Sequence, residues 1–524
     1  MPVLSHLSSF LLITMALACV PATFGNITWF GAEVLSLTAD FVTNYSISVP
    51  SSVRYTQPAV EVTNTSFCNV TAAYTHPGQD DTVIVEAWLP SWGWNGRLQA
   101  VGGGGMLAGR SDVYYAAMAG AIADGYATVT TDAGLVNASV DAIPWALLSP
   151  GNVDLYSLQN FASVSLDDMG VLARSLIKSY YGRGPDYSYF NGCSQGGRQA
   201  LMLAQRYPTS FDGIAAGAPA IYWNDLVPFL LWPLQFMNML GEYPHACELQ
   251  AITAAAISAC DGLDGVVDGI VTEVDDCLAS FRPFDLVGSA TNCSEARVVT
   301  SAAAAVANAT WQGTRNAQGV QTWFGLNPGS DLSFGVVGTD CAGLSCVSGA
   351  FALAMQWFSL FIARRADFDL ANLSHVEFDT LAHQGRQRYD SIIGTLDADL
   401  SAFRDAGGKL VTYHGVSDEI IPPKMSVKYY NEVSALVPNV HDFYRHFEVP
   451  GMRHCFGGRS GGPTSLFDQL RAWVENGTEP ENTQVEITDL AGGLQHRVLC
   501  PYPQKSVFDH DCGTAAEARC WTCA

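Results

Sequence analysis

Seven residues, NGCSQGG (Asn191–Gly197), decide the fold that this sequence predicts. Their middle, G-C-S-Q-G, matches the G-x-S-x-G pattern of a nucleophile elbow, in which a serine sits on a sharp turn between a strand and a helix. YSYFNG (Tyr187–Gly192) is typical of a short buried strand, and QGGRQALMLAQRYP (Gln195–Pro208) of a helix ended by proline. GIAAGAP (Gly213–Pro219) predicts a further strand. The elbow motif requires this order of strand, turn, helix and strand.

The same alternation continues on both sides of the elbow and is interrupted once. Upstream, DTVIVEAWLP (Asp81–Pro90), RLQAVG and GYATVTT predict strands, and Phe161–Tyr181 predicts a helix. The alternation stops after Pro219 and resumes with the strand KLVTYHG (Lys409–Gly415). The 524 residues exceed the roughly 250–300 at which one core stops growing. We therefore predict an α/β-hydrolase core of residues 19–219 and 403–524, interrupted by an insertion at 220–402.

The order of three candidate catalytic residues fits this fold. A serine hydroxyl is a weak nucleophile at neutral pH, so a histidine must take its proton and an acid must orient the histidine. In α/β-hydrolases the chain order is serine, acid, histidine. Ser194 in the elbow, Asp418 in VTYHGVSDEIIPP and His454 in PGMRHCFGG follow that order. Asp418 comes just after a predicted strand end, where sites of α/β proteins form.

Other acids and histidines compete for these roles. Glu419 is adjacent to Asp418, but its side chain should point elsewhere if Asp418 faces the histidine. Asp442 is close to the start of the next predicted strand, which makes it a weaker candidate. His414 at a strand end and His446 inside a strand are interpreted as structural.

Two cysteines stand next to the candidate nucleophile and base. Cys193 precedes Ser194, and Cys455 follows His454. A disulfide between them would hold their Cα atoms about 5.5 Å apart and force the serine and the histidine into one small region. The alternative is that each cysteine belongs to an unrelated bridge.

The oxyanion of an ester-hydrolysis intermediate needs backbone N–H donors. One is expected from Gln195, the residue after the nucleophile. The other is expected from AVGGGGML (Ala100–Leu107), a glycine run after a strand, with Gly104 favoured and Gly103 next. The alternative is a flexible turn; no Lys-Ser/Thr follows, which disfavours a phosphate-binding loop.

A second motif, CDGLDGVVDGI (Cys260–Ile270), lies in the insertion. Asp261, Asp264 and Asp268 are spaced by three and four residues within a glycine-rich loop. Calcium takes carboxylate and carbonyl oxygens from compact loops of this kind, although the spacing is not that of an EF-hand. The alternative is an acidic turn without a metal.

The combination of Cys-Ser, Asp and His-Cys resembles the tannase and feruloyl esterase family. GCSQGGRQA, YHGVSDEIIPP and GMRHCFGG carry the resemblance, which runs from about Cys19 to Cys523. It implies that the insertion is a lid domain and that a structural Ca²⁺ is bound in the lid. The implied calcium ligands are three carboxylates and two carbonyls: Asp261, Asp264, Asp268, Val266 and Ile270. It also implies a phenolic acid ester as substrate, with feruloyl ranked above galloyl.

The remaining cysteines are paired with the help of the same resemblance. It implies Cys19–Cys68 and Cys500–Cys520, and a bridge Cys260–Cys277 across the acidic loop. Cys341–Cys346 would close a short local loop. The pairs that are left by elimination are Cys247–Cys293 and Cys512–Cys523.

Features outside the site predict an extracellular protein. The N-terminus HLSSFLLITMALAC has an apolar run followed by Ala16-Leu17-Ala18, so residues 1–18 are predicted to be a signal peptide, the alternative being a buried helix. Fourteen cysteines fit an oxidising compartment. Nine Asn-x-Ser/Thr acceptors for N-glycosylation are present: Asn26, Asn44, Asn64, Asn69, Asn137, Asn292, Asn308, Asn372 and Asn476. The net charge of −24 disfavours nucleic acid as a partner, and no second apolar span predicts a membrane anchor.

These features together predict a secreted serine esterase that forms an acyl-enzyme on Ser194. The resemblance directs the prediction to feruloyl or other hydroxycinnamoyl esters of plant cell-wall polysaccharides, with tannase as the alternative. Rivals of other classes are a non-catalytic hydrolase-fold binding protein and a secreted peptidase with the same triad. The sequence does not decide between a monomer and a homodimer.

Overall fold

The computed structural model describes residues 18–135, 140–293, 297–342, 345–349 and 351–524. The predicted signal peptide, apart from Ala18, and the acceptor Asn137 lie outside these residues. A nine-stranded sheet forms the centre of the fold. Its strands are β1 Glu33–Val49, β2 Val60–Thr75, β3 Val83–Pro90, β4 Arg97–Val101, β5 Ala127–Thr131, β6 Tyr187–Cys193, β7 Gly213–Gly217, β8 Lys409–Gly415 and β9 Tyr444–Val449.

The sheet combines an antiparallel part and a parallel part. Strands β1, β2 and β3 pair antiparallel in sequence, and β3 also pairs antiparallel with β5. From there the neighbours are parallel, in the order β5-β4-β6-β7-β8-β9. The carboxyl ends of parallel strands share one edge of the sheet, so the segments that follow β4, β6, β8 and β9 meet there.

Helices connect and cover the strands, as expected of an α/β protein. Helix α3 packs against β6 and β7, α2 against β3 and β5, and α9 against β7 and β8. Among the described residues, the α-helices of eight or more residues are α1 Asp112–Ala123, α2 Ser165–Tyr181, α3 Gln195–Arg206, α4 Trp223–Leu240, α5 Ala246–Cys260, α6 Ser301–Gln312, α7 His375–Ile393, α8 Lys424–Leu436 and α9 Leu466–Asn476. The predicted α/β fold class is confirmed.

Shorter elements fill the connections. The short α- and π-helices are Ser51–Arg54, Ile143–Ala146, Leu155–Gln159, Asn160–Val164, Val274–Ser280, Ala352–Gln356, Trp357–Ile362 and Ser401–Asp405. The 3₁₀-helices are Pro21–Phe24, Asp261–Asp264, Pro283–Leu286, Gly335–Val337, Val440–Asp442 and Ala518–Cys520. Four two-stranded pairs are Leu147–Ser149 with Asn152–Val153, Thr339–Ala342 with Ser345–Ser348, Thr483–Thr488 with Leu494–Leu499, and Ser506–Phe508 with Trp521–Cys523.

The insertion at 220–402 contributes no strand to the nine-stranded sheet within the described residues. It carries α4 to α7, and two of its side chains contact the segment that follows β8. Asn327 donates from its Nδ2 to the carbonyl of Val416 at 2.9 Å, and Ser330 donates from its Oγ to the carbonyl of Asp418 at 3.0 Å. These bonds attach the insertion to the segment that carries the candidate catalytic acid.

Strands β1 and β2 were not predicted from the sequence. The residues of β1 are almost all exposed or half-buried, so apolar and polar positions do not alternate cleanly. Backbone pairing with β2 at the edge of the sheet, interrupted by irregularities near Asn44 and Asn64, holds this segment in place. The residues from 18 to 524 that the structure describes include no helix with the length and apolarity to cross a bilayer.

Seven disulfides join all fourteen cysteines. Five have the partners given above: Cys19–Cys68, Cys193–Cys455, Cys247–Cys293, Cys260–Cys277 and Cys341–Cys346. The other two pairs differ from the prediction.

The prediction of Cys500–Cys520 and Cys512–Cys523 is wrong. The bonds are Cys500–Cys523 and Cys512–Cys520, with Cα separations of 5.5 and 5.4 Å. The reason is the register of the C-terminal antiparallel pair, in which Ser506 lies opposite Cys523. Cys523 is therefore at the open end of this hairpin, next to the chain that leaves Cys500. Cys520 and Cys512 both lie toward its closed end.

Candidate active site

Ser194 has the backbone conformation of a nucleophile elbow. Its φ of 62° and ψ of −120° lie in a region that side-chain-bearing residues rarely adopt. The turn is tight: a Cβ on Gly192 would lie 2.8 Å from the carbonyl carbon of Gly196, and one on Gly196 would lie 2.8 Å from the carbonyl oxygen of Gly103. Glycine is therefore needed at both positions, and Ser194 stands between β6 and α3, as the motif requires.

Asp418 and His454 meet at the carboxyl edge of the sheet. Their segments follow β8 and β9, and the Nδ1 of His454 lies 2.7 Å from the Oδ2 of Asp418. The other oxygen of Asp418 accepts bonds from the backbone N–H groups of Ile420 and Ile421, each at 2.8 Å. The carboxylate is fully buried and therefore fixed in direction. Among the described residues, the Nε2 of His454 has no hydrogen-bond partner.

The serine and the histidine face one cavity. Cys193 and Cys455 are joined with a Cα separation of 5.9 Å, which holds their neighbours together across 262 residues of sequence. Ser194, Gln195 and His454 all line a cavity of about 210 Å³. The remainder of its lining is mainly apolar: Gly105, Ala220, Trp223, Leu226, Leu230, Phe351, Leu353, Ile420 and Ile421. Among the described residues, the Nε1 of Trp223 has no hydrogen-bond partner. We call this cavity the acyl cavity.

Electrostatics in the pair favour an ionised acid beside a basic histidine. Burial opposes the charge of Asp418, but the charge of His454 and hydrogen bonds from His414 and His454 outweigh it, and the pKa of Asp418 is lowered. Burial likewise opposes the charge of His454, but the neighbouring Asp418 raises the pKa of His454 above its usual value. A histidine held in this way can accept a proton from a serine hydroxyl and keep it while an intermediate forms.

Two residues that were set aside in the sequence support the pair. The Nε2 of His414 lies 3.2 Å from the Oδ2 of Asp418, and its Nδ1 lies 2.7 Å from the Oγ of Ser426. Glu419 accepts the backbone N–H of His454 at 3.1 Å, whereas the imidazole of that residue is bonded to Asp418. The spacing H-x-x-x-D in YHGVSD could have suggested the first contact, but no local signal indicates the second.

The other competitors lie elsewhere. Asp442 precedes β9, so it is at the opposite edge of the sheet from His454. His446 is fully buried, and its Nδ1 lies 2.8 Å from the Oγ1 of Thr412. Burial lowers the pKa of His446 to about 3, which keeps this side chain neutral. Its interpretation as structural fits these contacts.

The candidate oxyanion donors lie at two chain segments. Gln195 is the first residue of α3, where a backbone N–H has no partner inside the helix. The N–H of Gly103 donates to the Oε1 of Gln199 at 2.8 Å and is therefore occupied. The N–H groups of Gly104 and Gly105 have no acceptor among the described residues, and Gly105 lines the acyl cavity. Gly104 stays the predicted donor, with Gly105 as a competitor that the sequence did not single out.

The acidic loop folds around one of its own carboxylates. The Oδ1 of Asp261 accepts the backbone N–H groups of Asp268, Gly269 and Ile270 at 2.9–3.2 Å, which folds the loop around that side chain. The Oδ2 of Asp268 lies 2.5 Å from the Nη2 of the buried Arg497. Burial raises the pKa of Asp268 to about 6, and the charges of Asp264 and Asp261 add to this effect.

This loop fits a hard cation by charge and by donor type. Of the three carboxylates, that of Asp268 pairs with the guanidinium of Arg497, and the guanidinium of Arg459 lies beside Gly269, so the loop keeps more negative than positive charge. The carbonyl groups of Val266 and Ile270 accept no hydrogen bond from the described residues. The three carboxylates do not, however, converge within 4.8 Å of one another; in the described residues only His245, Cys341 and Cys346 form such a cluster. Because those two cysteines are disulfide-bonded, that second cluster is not a metal site. Calcium at Asp261, Asp264 and Asp268 stays a prediction.

The elbow, the strand order and the ordered acid and histidine define an α/β-hydrolase. The model of the tannase and feruloyl esterase family matches residues 68–524. A probable feruloyl esterase of Arthroderma benhamiae is 37% identical over 486 residues, which is 90% of this chain and 88% of that protein. The chain belongs to the tannase and feruloyl esterase family, and it is a carboxylic ester hydrolase.

Solved structures agree with this assignment. The tannin acyl hydrolase from Aspergillus niger matches with a TM-score of 0.86 at 27% identity, covering 97% of this chain and 95% of that one. Feruloyl esterase B from Aspergillus oryzae matches with a TM-score of 0.77 at 26% identity, covering 95% and 98%.

Proposed function

We propose that this protein is a secreted serine esterase that hydrolyses phenolic acid esters through an acyl-enzyme on Ser194. One observation carries the proposal: Ser194 and His454 line the same apolar cavity, and Asp418 holds His454 by a 2.7 Å contact. In this reaction the Oγ of Ser194 attacks the ester carbonyl while the Nε2 of His454 takes its proton. His454 then returns the proton to the leaving alcohol, and water releases the acid in a second round.

The backbone supplies the remaining part of the reaction. The N–H of Gln195 and that of Gly104 donate to the oxyanion of the tetrahedral intermediate. Loss of one such donor costs about 10²–10³ in kcat in other serine hydrolases. Gln195 directly follows Ser194 and is the first residue of α3, so its N–H lies next to the nucleophile.

Within the phenolic esters we rank feruloyl and other hydroxycinnamoyl groups above galloyl. The names of the relatives support both, since one is called a probable feruloyl esterase and another a tannin acyl hydrolase. The lining of the acyl cavity favours the first. A galloyl ring would bring three hydroxyl groups into a space lined mainly by side chains such as Leu226, Leu230 and Ile421. Buried hydroxyl groups without partners cost about 1–3 kcal/mol each.

Secretion and a cell-wall substrate are part of the proposal. Seven disulfides and an N-terminal apolar run with a small-residue cleavage motif support an oxidising compartment. Exposed acceptors such as Asn44 and Asn64 are suited to glycans. Asn69 is not, because its amide donates to the Oε1 of Glu86 at 3.1 Å.

We also propose that the lid binds one structural Ca²⁺ through Asp261, Asp264, Asp268 and the carbonyls of Val266 and Ile270. Bound calcium would neutralise the excess negative charge of this loop. We expect EDTA to lower the melting temperature and added Ca²⁺, but not Mg²⁺, to restore it. Asp264→Asn should remove the EDTA response, whereas the exposed control Asp285→Asn should keep it. An unchanged melting temperature in EDTA would contradict the proposal.

The substrate class is tested with four methyl esters: ferulate, caffeate, p-coumarate and gallate. We expect hydrolysis of the cinnamates, little of the gallate, and none by Ser194→Ala. Cleavage of the gallate alone would make the protein a tannase. Cleavage of only a small nitrophenyl ester would keep the esterase and overturn the phenolic substrate. If no ester is cleaved, the result favours a secreted peptidase or a non-catalytic binding protein.

A further inference from the structure

A second depression in the surface lies apart from the acyl cavity. It is a groove of about 910 Å³ between α8, the edge strand β9 and the C-terminal segment Leu499–Ser506. None of the three candidate catalytic residues lines it. Val416, which does, lies two residues before Asp418, and Ile420 and Ile421 of the same segment line the acyl cavity. The groove and the acyl cavity therefore lie on two sides of the segment 416–421.

The positive charges of this groove are all paired. Each lysine and arginine in its lining has a carboxylate partner: Lys424 with Asp275, Lys428 with Glu432, Lys505 with Glu273 and Arg497 with Asp268. An anionic ligand would therefore find no unpaired cation here. Two further carboxylates of the lining, Asp276 and Glu448, have no ion-pair partner among the described residues, so the groove is suited to a ligand that carries no negative charge and donates hydrogen bonds.

One carboxylate of the lining is available to a ligand. Glu448 on β9 is half-buried, and its side chain forms no hydrogen bond or ion pair with the described residues. An ionised carboxylate accepts several hydrogen bonds, so Glu448 can accept them from the hydroxyl groups of a ligand in the groove.

The rest of the lining combines apolar and aromatic side chains with polar ones such as Asn431 and Gln504. Tyr502 and Phe324 are half-buried, and Leu499 and Val427 also line the groove. A flat apolar face combined with a few hydrogen-bonding groups is typical of binding clefts. A sugar ring presents the same combination, since its hydroxyl groups donate and accept at the rim and its C–H bonds form apolar faces.

We propose that this groove binds a neutral oligosaccharide, with Glu448 accepting hydrogen bonds from its hydroxyl groups and Tyr502 packing against a ring. The binding of an oligosaccharide in the groove does not depend on the proposed esterase function. The use of the groove to hold the polysaccharide part of an ester substrate does rest on the proposed function.

Binding is tested on the full-length Ser194→Ala protein by isothermal titration calorimetry with xylohexaose, cellohexaose and mannohexaose. We expect at least one to bind, and Glu448→Gln to weaken it at least fivefold, because an amide replaces an acceptor carboxylate. Tyr502→Ala should weaken it as well. The matched control is Glu486→Gln, an exposed acid on a C-terminal strand outside the groove. All variants are compared by melting temperature, so that a folding defect is recognised.

Two results would overturn the proposal: no binding of any of the three oligosaccharides, or binding that neither Glu448→Gln nor Tyr502→Ala changes. In a background with an intact Ser194, Glu448→Gln should leave hydrolysis of methyl ferulate unchanged and slow release of ferulate from feruloylated xylan. Binding without any phenolic esterase activity would contradict the proposed function and support the groove site. Esterase activity without binding would support the proposed function and contradict the groove site.

Discussion

Two of the histidines that lie against aspartates, His454 and His76, differ in one respect. His454 contacts Asp418 through Nδ1, its Nε2 has no hydrogen-bond partner among the described residues, and the residue lines the acyl cavity. His76 is held at both nitrogens, by Asp81 at 2.6 Å and by Asp168 at 3.0 Å. A histidine can shuttle a proton only if one nitrogen is free to exchange it. The comparison therefore separates a pair that is able to transfer a proton from an ion cluster of the same residue types that is not.

The surroundings of His76 confirm its structural character. Asp168 also accepts hydrogen bonds from the Oη of Tyr74 and the Nε1 of Trp29, at 3.0 and 2.9 Å. The cluster ties the end of β2 and the N-terminal segment to helix α2. Both nitrogens of His76 donate when it is charged, so the two carboxylates hold it as a cation.

The largest expected difference follows from exchanging one aspartate in each cluster. Asp418→Asn should lower kcat by about 10³–10⁴, because an amide stabilises the wrong tautomer of His454. Asp168→Asn should leave kcat within a factor of two or so and lower the melting temperature instead. The measurement is methyl ferulate hydrolysis together with thermal unfolding of both variants. Equal losses of activity would abolish the distinction between the clusters.

The sequence was sufficient to select three candidate catalytic residues that the fold brings to one edge of the sheet, because each stands in a local motif. The elbow at Ser194 is set by glycines within two residues, and Asp418 and His454 follow strand ends. The contacts of His76 are not local: Asp168 is 92 residues away. Nothing near His76 in the sequence selects that partner, and the cluster was not predicted.

The same argument applies to the C-terminal cysteines. Cys520 and Cys523 are three residues apart, and spacing cannot choose which of them reaches Cys500. The register of one hairpin decides it, through the pairing of Ser506 with Cys523. Likewise, β1 and β2 are held by pairing at the sheet edge, which apolar patterning does not reveal.

A smaller effect is expected from removing the structural histidine. His76→Gln leaves Asp81 and Asp168 without their cation, and breaking such a buried pair costs about 3–5 kcal/mol of stability. Activity at low temperature should be retained. The measurement is urea unfolding of wild type and variant, read with kcat. A large loss of kcat with unchanged stability would place His76 in the catalytic machinery.

The pH dependence of that stability has a definite sign. Burial opposes the charge of His76, but hydrogen bonds and charge from Asp81 and Asp168 raise its pKa above that of the unfolded chain. Its contribution is therefore complete below about pH 6.5 and is lost as pH rises through the raised pKa. Unfolding free energies measured at pH 5.5 and pH 9 should show the difference between wild type and His76→Gln shrinking at the higher pH. Against this, a difference that stays constant would mean that His76 acts through packing.

The smallest expected effect concerns His414, the second histidine on Asp418. The Nε2 of His414 lies 3.2 Å from the Oδ2 of Asp418, and the Nδ1 of His454 lies 2.7 Å from the same oxygen. The two imidazoles therefore share the negative charge of that oxygen. Removing it by His414→Gln should lower kcat/KM about tenfold, the scale of one hydrogen bond to a charged group. Asp418 would then act more strongly on His454, so the pKa of His454 should rise further.

This second consequence distinguishes positioning from plain structural support. Catalysis needs neutral His454, whose pKa is already raised by Asp418, so kcat/KM of the wild type should fall as pH drops through a value above 6.5. In His414→Gln this acidic limb should move to higher pH, whereas Ser426→Ala, which removes only the hydroxyl behind His414, should move it less. A lower rate with an unmoved limb would assign His414 to packing alone. A moved limb would extend the contrast with His76: both histidines are bonded at both nitrogens, but only His414 is bonded to the candidate catalytic aspartate, so only His414 can alter the pKa of His454.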